Sequence, residues 1–135
     1  MREFSDLTTY INQSPSQLAD SVLHCPVCQR DHSIPYKIVR SGRELAGLVP
    51  DVTEAVLGQR PGKMGVVFDR QIEEKVSAYF FEKLRASGAT LIEIPLGEKG
   101  HLLEPLVTIG DQAADNLQNE VDVLIGVGSG VICDL

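Results

Sequence analysis

The chain has 135 residues, 12 Lys and Arg against 19 Asp and Glu, a net charge of -7 and 43% hydrophobic residues. That length and balance suit one folded domain and exclude wholesale disorder. The acidity argues against a phosphate backbone as partner, and no apolar run approaches the roughly 18–20 residues of a membrane helix.

Residues 1–33 read as a polar segment with two short helices, opening at Ser5-Asp6 and at Ser14-Pro15-Ser16. It closes on the turn-rich stretch His24-Cys25-Pro26-Val27-Cys28-Gln29-Arg30-Asp31-His32. Residues 34–135 alternate strand and helix. Residues 36–39 read as a strand. Residues 44–57 have nearly helical spacing, with Pro50 predicting a broken or late start. Residues 64–68 form a continuous apolar run, as in a strand covered on both faces, and Asp69 ends it. Residues 71–87 read as an amphipathic helix through Ile72, Val76, Tyr79, Phe80 and Leu84. A strand over 89–94 closes at Pro95, and 97–101 is a loop. A helix over 104–120 carries Leu106, Ile109, Ala113, Ala114 and Leu117 on one face. Residues 123–127 are a third apolar strand, 128–130 a glycine turn, and a further helix begins at Val131. Strands separated by such helices pair in parallel with right-handed crossovers. The expected fold is α/β, a Rossmann-like open parallel sheet with helices on both faces.

Two features carry chemistry. Gly128-Ser129-Gly130 joins an apolar strand to a helix. Glycines allow a tight turn and close approach of a phosphate, and the helix start offers unpaired N–H groups. A plain strand-to-helix turn explains a bare Gly-x-Gly equally well. Asp69 stands at the C-terminal end of its strand, where ligands bind in open α/β sheets. Its carboxylate suits the hydroxyls of an adenosine ribose, and equally suits a helix cap. Arg70 could take a 2′-phosphate, so NAD and NADP both remain open. The usual dinucleotide fingerprint has the glycines first and the acid about 20 residues later. Here the acid precedes the glycines by roughly 60 residues, so a standard Rossmann dehydrogenase fits poorly.

An apolar strand ending in Asp, a helix, a strand, a Gly-Glu loop, a helix and then Asp-Val-Leu-Ile-Gly-Val-Gly-Ser-Gly-Val-Ile-Cys-Asp-Leu resemble one known family. It is the amino-terminal domain of glycerol-1-phosphate dehydrogenases, in the superfamily of iron-containing alcohol dehydrogenases, glycerol dehydrogenases and dehydroquinate synthases. The Gly-Ser-Gly spelling and the Cys-x-x-Cys…His segment point to the bacterial glycerol-1-phosphate dehydrogenase-like branch. The resemblance covers roughly residues 22–135. It implies a dehydroquinate synthase-like amino-terminal domain that binds NAD or NADP. Asp69 would hold the adenosine ribose, and Gly128, Ser129 and Gly130 would form the pyrophosphate turn. Val131, Ile132, Cys133 and Asp134 would line the dinucleotide. Gly97-Glu98-Lys99 is similar to the Gly-Glu loop of dehydroquinate synthases, although Gly100-His101 departs from it.

By the same resemblance, the catalytic divalent metal and the substrate residues belong to a helical carboxy-terminal domain absent from this sequence. A chain ending one turn into a helix is then expected to be a truncated piece, inactive alone, of a homo-oligomeric cytoplasmic oxidoreductase acting on dihydroxyacetone phosphate. The competing readings are a dehydroquinate synthase-like lyase domain and a non-catalytic interaction module built on a structural zinc knuckle. No catalytic residue is assigned within the 135 residues.

Cys25-Pro26-Val27-Cys28 with His32 has spacing that suits zinc. A turn with two free thiols is the plainer explanation. A fourth ligand could come from Asp31, His101 or a partner chain. His24, next to Cys25, is not expected to share an ion with it. Cys133, at a predicted helix start, reads as a small space-filling residue. Residues 1–17 do not show the charged-then-apolar pattern of a signal peptide, and three Cys is an odd count, so no disulfide framework is expected.

Overall fold

The computed structural model describes residues 2–33, 35–40, 42–117, 121–128 and 130–134. The chain divides into two compact units, Met1–Leu45 and Ala46–Leu135.

The first unit holds a three-stranded sheet that the sequence did not announce. Its strands are β1 (Arg2–Phe4), β2 (Ser21–His24) and β3 (Asp31–Ser33), in that order. β1 runs parallel to β2, and β3 returns antiparallel. The two short helices α1 (Leu7–Ile11) and α2 (Pro15–Leu18) connect β1 to β2. Asp6 caps α1, accepting from the amides of Thr8 at 3.1 Å and Thr9 at 2.9 Å. The Thr9 hydroxyl and these two amides hold the Asp6 carboxyl below its ordinary value. Gln17 starts α2 by accepting from the Ser14 amide at 2.9 Å. Residues 36–39, expected as a strand, are not one. The Tyr36 carbonyl takes a single bond from the Asp20 amide at 2.7 Å, while Tyr36 and Val39 join Pro15 and Leu18 around a shallow apolar hollow.

The second unit is a parallel sheet of three described strands: β4 (Lys63–Asp69), β5 (Thr90–Leu96) and β6 (Val123–Val127). The strand order is β5-β4-β6, so β4 is central. This position explains its uninterrupted apolar sequence. Met64, Val66 and Phe68 face one side and meet Val76, Phe81 and Leu84. Val67 faces the other and meets Ile94, Leu96, Leu103 and Ile132. Helices therefore flank the sheet on both faces. Gly65 is dictated by close approach. A Cβ there would stand 2.8 Å from Leu117 Cδ2 and 3.2 Å from Leu124 Cδ1. Pro95 lies inside β5 rather than ending it, which an edge strand tolerates.

The helices differ in detail from their sequence patterns. A 3-10 turn at Leu45–Leu48 leads into α3 (Val49–Leu57), which carries Pro50 in its first turn, as a late start requires. Residues 70–86 are one helical span of changing pitch. A 3-10 turn (Arg70–Ile72) leads into α4 (Glu73–Val76), then a π turn (Ser77–Phe81), then α5 (Glu82–Ala86). The π turn inserts one residue into the helical repeat. Phe81 is therefore the fully buried ring of this turn, Phe80 packs partly buried against the same core, and Tyr79 turns outward. Phe81 is 1% exposed and Tyr79 is 72% exposed. Phe81 meets Phe68 edge to face with ring centroids 5.4 Å apart, and the Arg85 guanidinium lies 5.5 Å above the Phe81 ring. α6 (Val107–Leu117) begins three residues later than the pattern suggested. Pro105 precedes it, and the Leu106 carbonyl accepts the first helical bonds from Ile109 and Gly110. Ile109, Ala113 and Leu117 pack inward, whereas Leu106 and Ala114 are exposed. The final helix α7 (Gly130–Asp134) follows β6.

Candidate functional site

Parallel strands deliver their C-terminal ends to one edge of a sheet. In the second unit that edge gathers the chemistry read from the sequence. Phe68 pairs with Val127 in register, and each is followed by a candidate residue, Asp69 on β4 and Gly128 after β6. About 60 residues of chain thus close into adjacent positions because β4 and β6 are direct neighbours.

Asp69 serves as a cap. Its Oδ1 accepts from the Gln71 amide at 2.9 Å and starts the helical span. Its Oδ2 has no hydrogen-bond partner among the described residues. The side chain is half-buried, with spare acceptor capacity. Beside it, Arg70 Nε is a buried donor that no described group satisfies. A buried unpaired N–H costs about 1–3 kcal/mol.

Gln71 is the organising residue that the sequence did not reveal. Its amide nitrogen donates to the Glu98 carbonyl at 3.3 Å and also to the His101 carbonyl. Lys99 adds an ion pair to Glu74 at 3.3 Å. The loop of residues 97–101 is thereby fastened next to Asp69. No sequence pattern marks a Gln that bonds two backbone carbonyls about 30 residues away.

The glycine turn shows two separate demands. Gly128 has φ +151, a conformation that side chains rarely adopt. A Cβ on Gly128 would lie 3.0 Å from Ile132 Cγ1, and one on Gly126 would lie 3.1 Å from Ile132 Cγ2. Both glycines therefore let α7 seat Ile132 on β6. Ile132 is 7% exposed, so its side chain belongs to the core and only its backbone is free to face the strand ends. Gly130 differs. Nothing lies within 4 Å of where its Cβ would stand, so the space there is open. Val131 is half-buried. Ser129 lies outside the described residues, as do the side chains of Cys133 and Asp134.

At the opposite edge, Asp122 is a clamp. Its Oδ2 accepts from the amides of Gly62 at 2.8 Å and Lys63 at 2.9 Å, tying the start of β6 to the start of β4. Those amides, Lys63 first, hold its carboxyl below the ordinary range. A cavity of about 430 Å³ opens between α6 and β6, lined by Val67, Ala113, Leu117, Leu124 and Ile132 among others. Its lining carries no charged group, so it is no place for phosphates. The charged and glycine-rich positions are at the strand ends.

In the first unit, Cys25, Cys28 and His32 cluster with their ligand atoms within 4.8 Å of one another. The amides of Cys28 and Val27, then the Cys28 thiol, pull the Cys25 thiol below its ordinary value.

The chain is similar to two 3-dehydroquinate synthases. It is 27% identical over 130 residues to that of Rhizobium etli and 28% identical over 134 residues to that of Rhizobium leguminosarum bv. trifolii. The matches cover 93% of this chain, which spans only about a third (32%) of the length of these curated relatives. No family model matches the chain, and no solved structure matches it. This distant similarity lies within the superfamily that the closing motif suggested. It favours the dehydroquinate synthase reading over glycerol-1-phosphate dehydrogenase, a name that neither relative carries. Among the described residues, no helix is long and apolar enough to cross a membrane.

Proposed function

We propose that this chain is the dinucleotide-binding part of a dehydroquinate synthase-like lyase and that it binds NAD across the C-terminal ends of β4 and β6. One observation carries the reading: the sheet register sets Asp69 beside Gly128. Asp69 Oδ2 accepts a hydroxyl of the adenosine ribose while Oδ1 keeps its cap. The turn at Gly128, Ser129 and Gly130 takes the pyrophosphate. The backbone of Val131, Ile132, Cys133 and Asp134 runs beside it. The open space at Gly130 leaves room for an anionic ligand. Glu98, on the loop that Gln71 fastens, approaches the nucleotide from the β5 side. When bound, the nicotinamide supplies a hydride acceptor. The catalytic metal and the substrate residues are assigned to the part of such enzymes that this chain does not span, so the chain binds nucleotide and turns nothing over alone. NAD is preferred to NADP because a 2′-phosphate would crowd the Asp69 carboxylate.

Calorimetric titration of NAD+ into the 135-residue chain tests this. Asp69→Asn keeps a good cap and removes the charge. A hydrogen bond to a charged group is worth about 1.5–3 kcal/mol, so affinity should fall roughly 10–150-fold with little change in stability. Unchanged affinity in Asp69→Asn would remove the ribose assignment. The Cys25…His32 segment sustains a second reading, a glycerol-1-phosphate dehydrogenase-like oxidoreductase. Equal or tighter binding of NADP+ would favour it.

A further inference from the structure

The nucleotide reading leaves the first unit unused. Among the described side chains of this unit, Ser21 and Leu23 are buried. Units this small commonly need a disulfide or a metal in place of a core. The β2–β3 hairpin carries the means. The Cys25 amide bonds the Arg30 carbonyl and the Gln29 amide bonds the Cys25 carbonyl, both at 2.9 Å, closing a tight loop with Gln29 at φ +55. Cys28 Sγ lies 2.9 Å from His32 Nε2.

Strand register sorts the neighbouring groups by face. Leu23 pairs with His32 and His24 with Asp31. Side chains alternate along a strand, so Cys25 shares the face of Leu23 and His32. His24 and Asp31 occupy the other face, where His24 Nδ1 and Asp31 Oδ1 are paired at 2.8 Å. Asp31 is thus spent and faces away, which removes it from the expected choices for a fourth ligand. A tetrahedral zinc ion with Zn–S near 2.3 Å and Zn–N near 2.0 Å spaces its ligands about 3.5–3.8 Å apart. The separations in the cluster, from 2.9 Å up to at most 4.8 Å, bracket that spacing.

We propose that Cys25 Sγ, Cys28 Sγ and His32 Nε2 form a zinc site that staples the β2–β3 hairpin, with the fourth position open to water or an external ligand. The site lies within the first unit and does not depend on the nucleotide reading. His32 and Cys28 are exposed, so the open position faces solvent.

The test is titration of the reduced full chain with Co2+ and then Zn2+. One equivalent of Co2+ should give thiolate charge-transfer absorption and the visible bands of a tetrahedral ion, and Zn2+ should bleach both. Cys28→Ser should weaken Co2+ binding at least tenfold and diminish the charge-transfer band. His32→Ala should weaken binding while keeping that band. His24→Ala, on the other face, should bind as the unaltered chain does. The proposal is overturned if no stoichiometric band forms, if Cys28→Ser leaves it intact, or if His24→Ala abolishes it. Loss of fold in a variant is read separately by circular dichroism. Protection of two thiols from alkylation by Zn2+ in the unaltered chain then decides, and unprotected thiols would refute the site.

Discussion

Gly128 and Gly126 both seat Ile132, but for reasons that mutation can separate. In Gly128→Ala the new Cβ would lie 3.0 Å from Ile132 Cγ1, on a backbone held at φ +151. Strain of that kind costs about 1–3 kcal/mol, and crowding adds about 1 kcal/mol. In Gly126→Ala the contact is similar, 3.1 Å to Ile132 Cγ2, but the backbone is not in the positive-φ region. About 1 kcal/mol of crowding is there offset by about 0.4–1 kcal/mol from restricting the unfolded chain, leaving little net change. Ile132→Ala alone should cost about 2–5 kcal/mol, because Ile132 is buried. In that background the crowding disappears for both glycines, yet Gly128→Ala should still cost about 1–3 kcal/mol. Urea unfolding reads each value as a shift of midpoint at constant slope. The reasoning fails if Gly128→Ala is neutral, or if Ile132→Ala rescues it fully.

Three further outcomes follow from the packing. Phe81→Ala should cost about 3–5 kcal/mol and Tyr79→Ala less than about 0.5 kcal/mol, measured by the same urea unfolding; the reverse order would place the π turn elsewhere. Asp122 has a depressed folded pKa, so its contribution is full above its unfolded value and is lost as pH falls through the folded one. Asp122→Asn should therefore flatten the acid limb of a stability–pH profile, and an unchanged limb below about pH 4 would count against the clamp. Gln71→Ala should free the loop of residues 97–101 and speed tryptic cleavage after Lys99 several-fold under native conditions; no change would mean the loop is held by other contacts.

Much of the second unit was legible because its strands carry their burial in their spelling. β4 is apolar at every position from Met64 to Phe68 since both faces are covered. Asp69 and Gly128 could be named from sequence, but their adjacency could not, because it rests on β6 choosing β4 as neighbour. In the helical span after Asp69 the expected face holds at Ile72, Val76, Phe80 and Leu84 and fails at Tyr79. The π turn adds Phe81, which a period of 3.6 did not mark. In the first unit the strands are three or four residues long and β3 is wholly exposed, so no alternation exists to read. Residues 36–39 had the alternation but pair with no strand among the described residues. Gln71 and Asp122 were invisible because each acts through distant backbone groups.

The most direct measurement is an amide NMR map of the chain titrated with NAD+ and, separately, with Gly130→Val in place. Valine there enters open space and should leave the fold intact while filling the approach to the turn. The account predicts that NAD+ shifts amides of residues 69–71, 97–99 and 128–131, and that Gly130→Val abolishes those shifts. Shifts confined to Lys63 and Asp122 at the other edge, or none at millimolar NAD+, would contradict it.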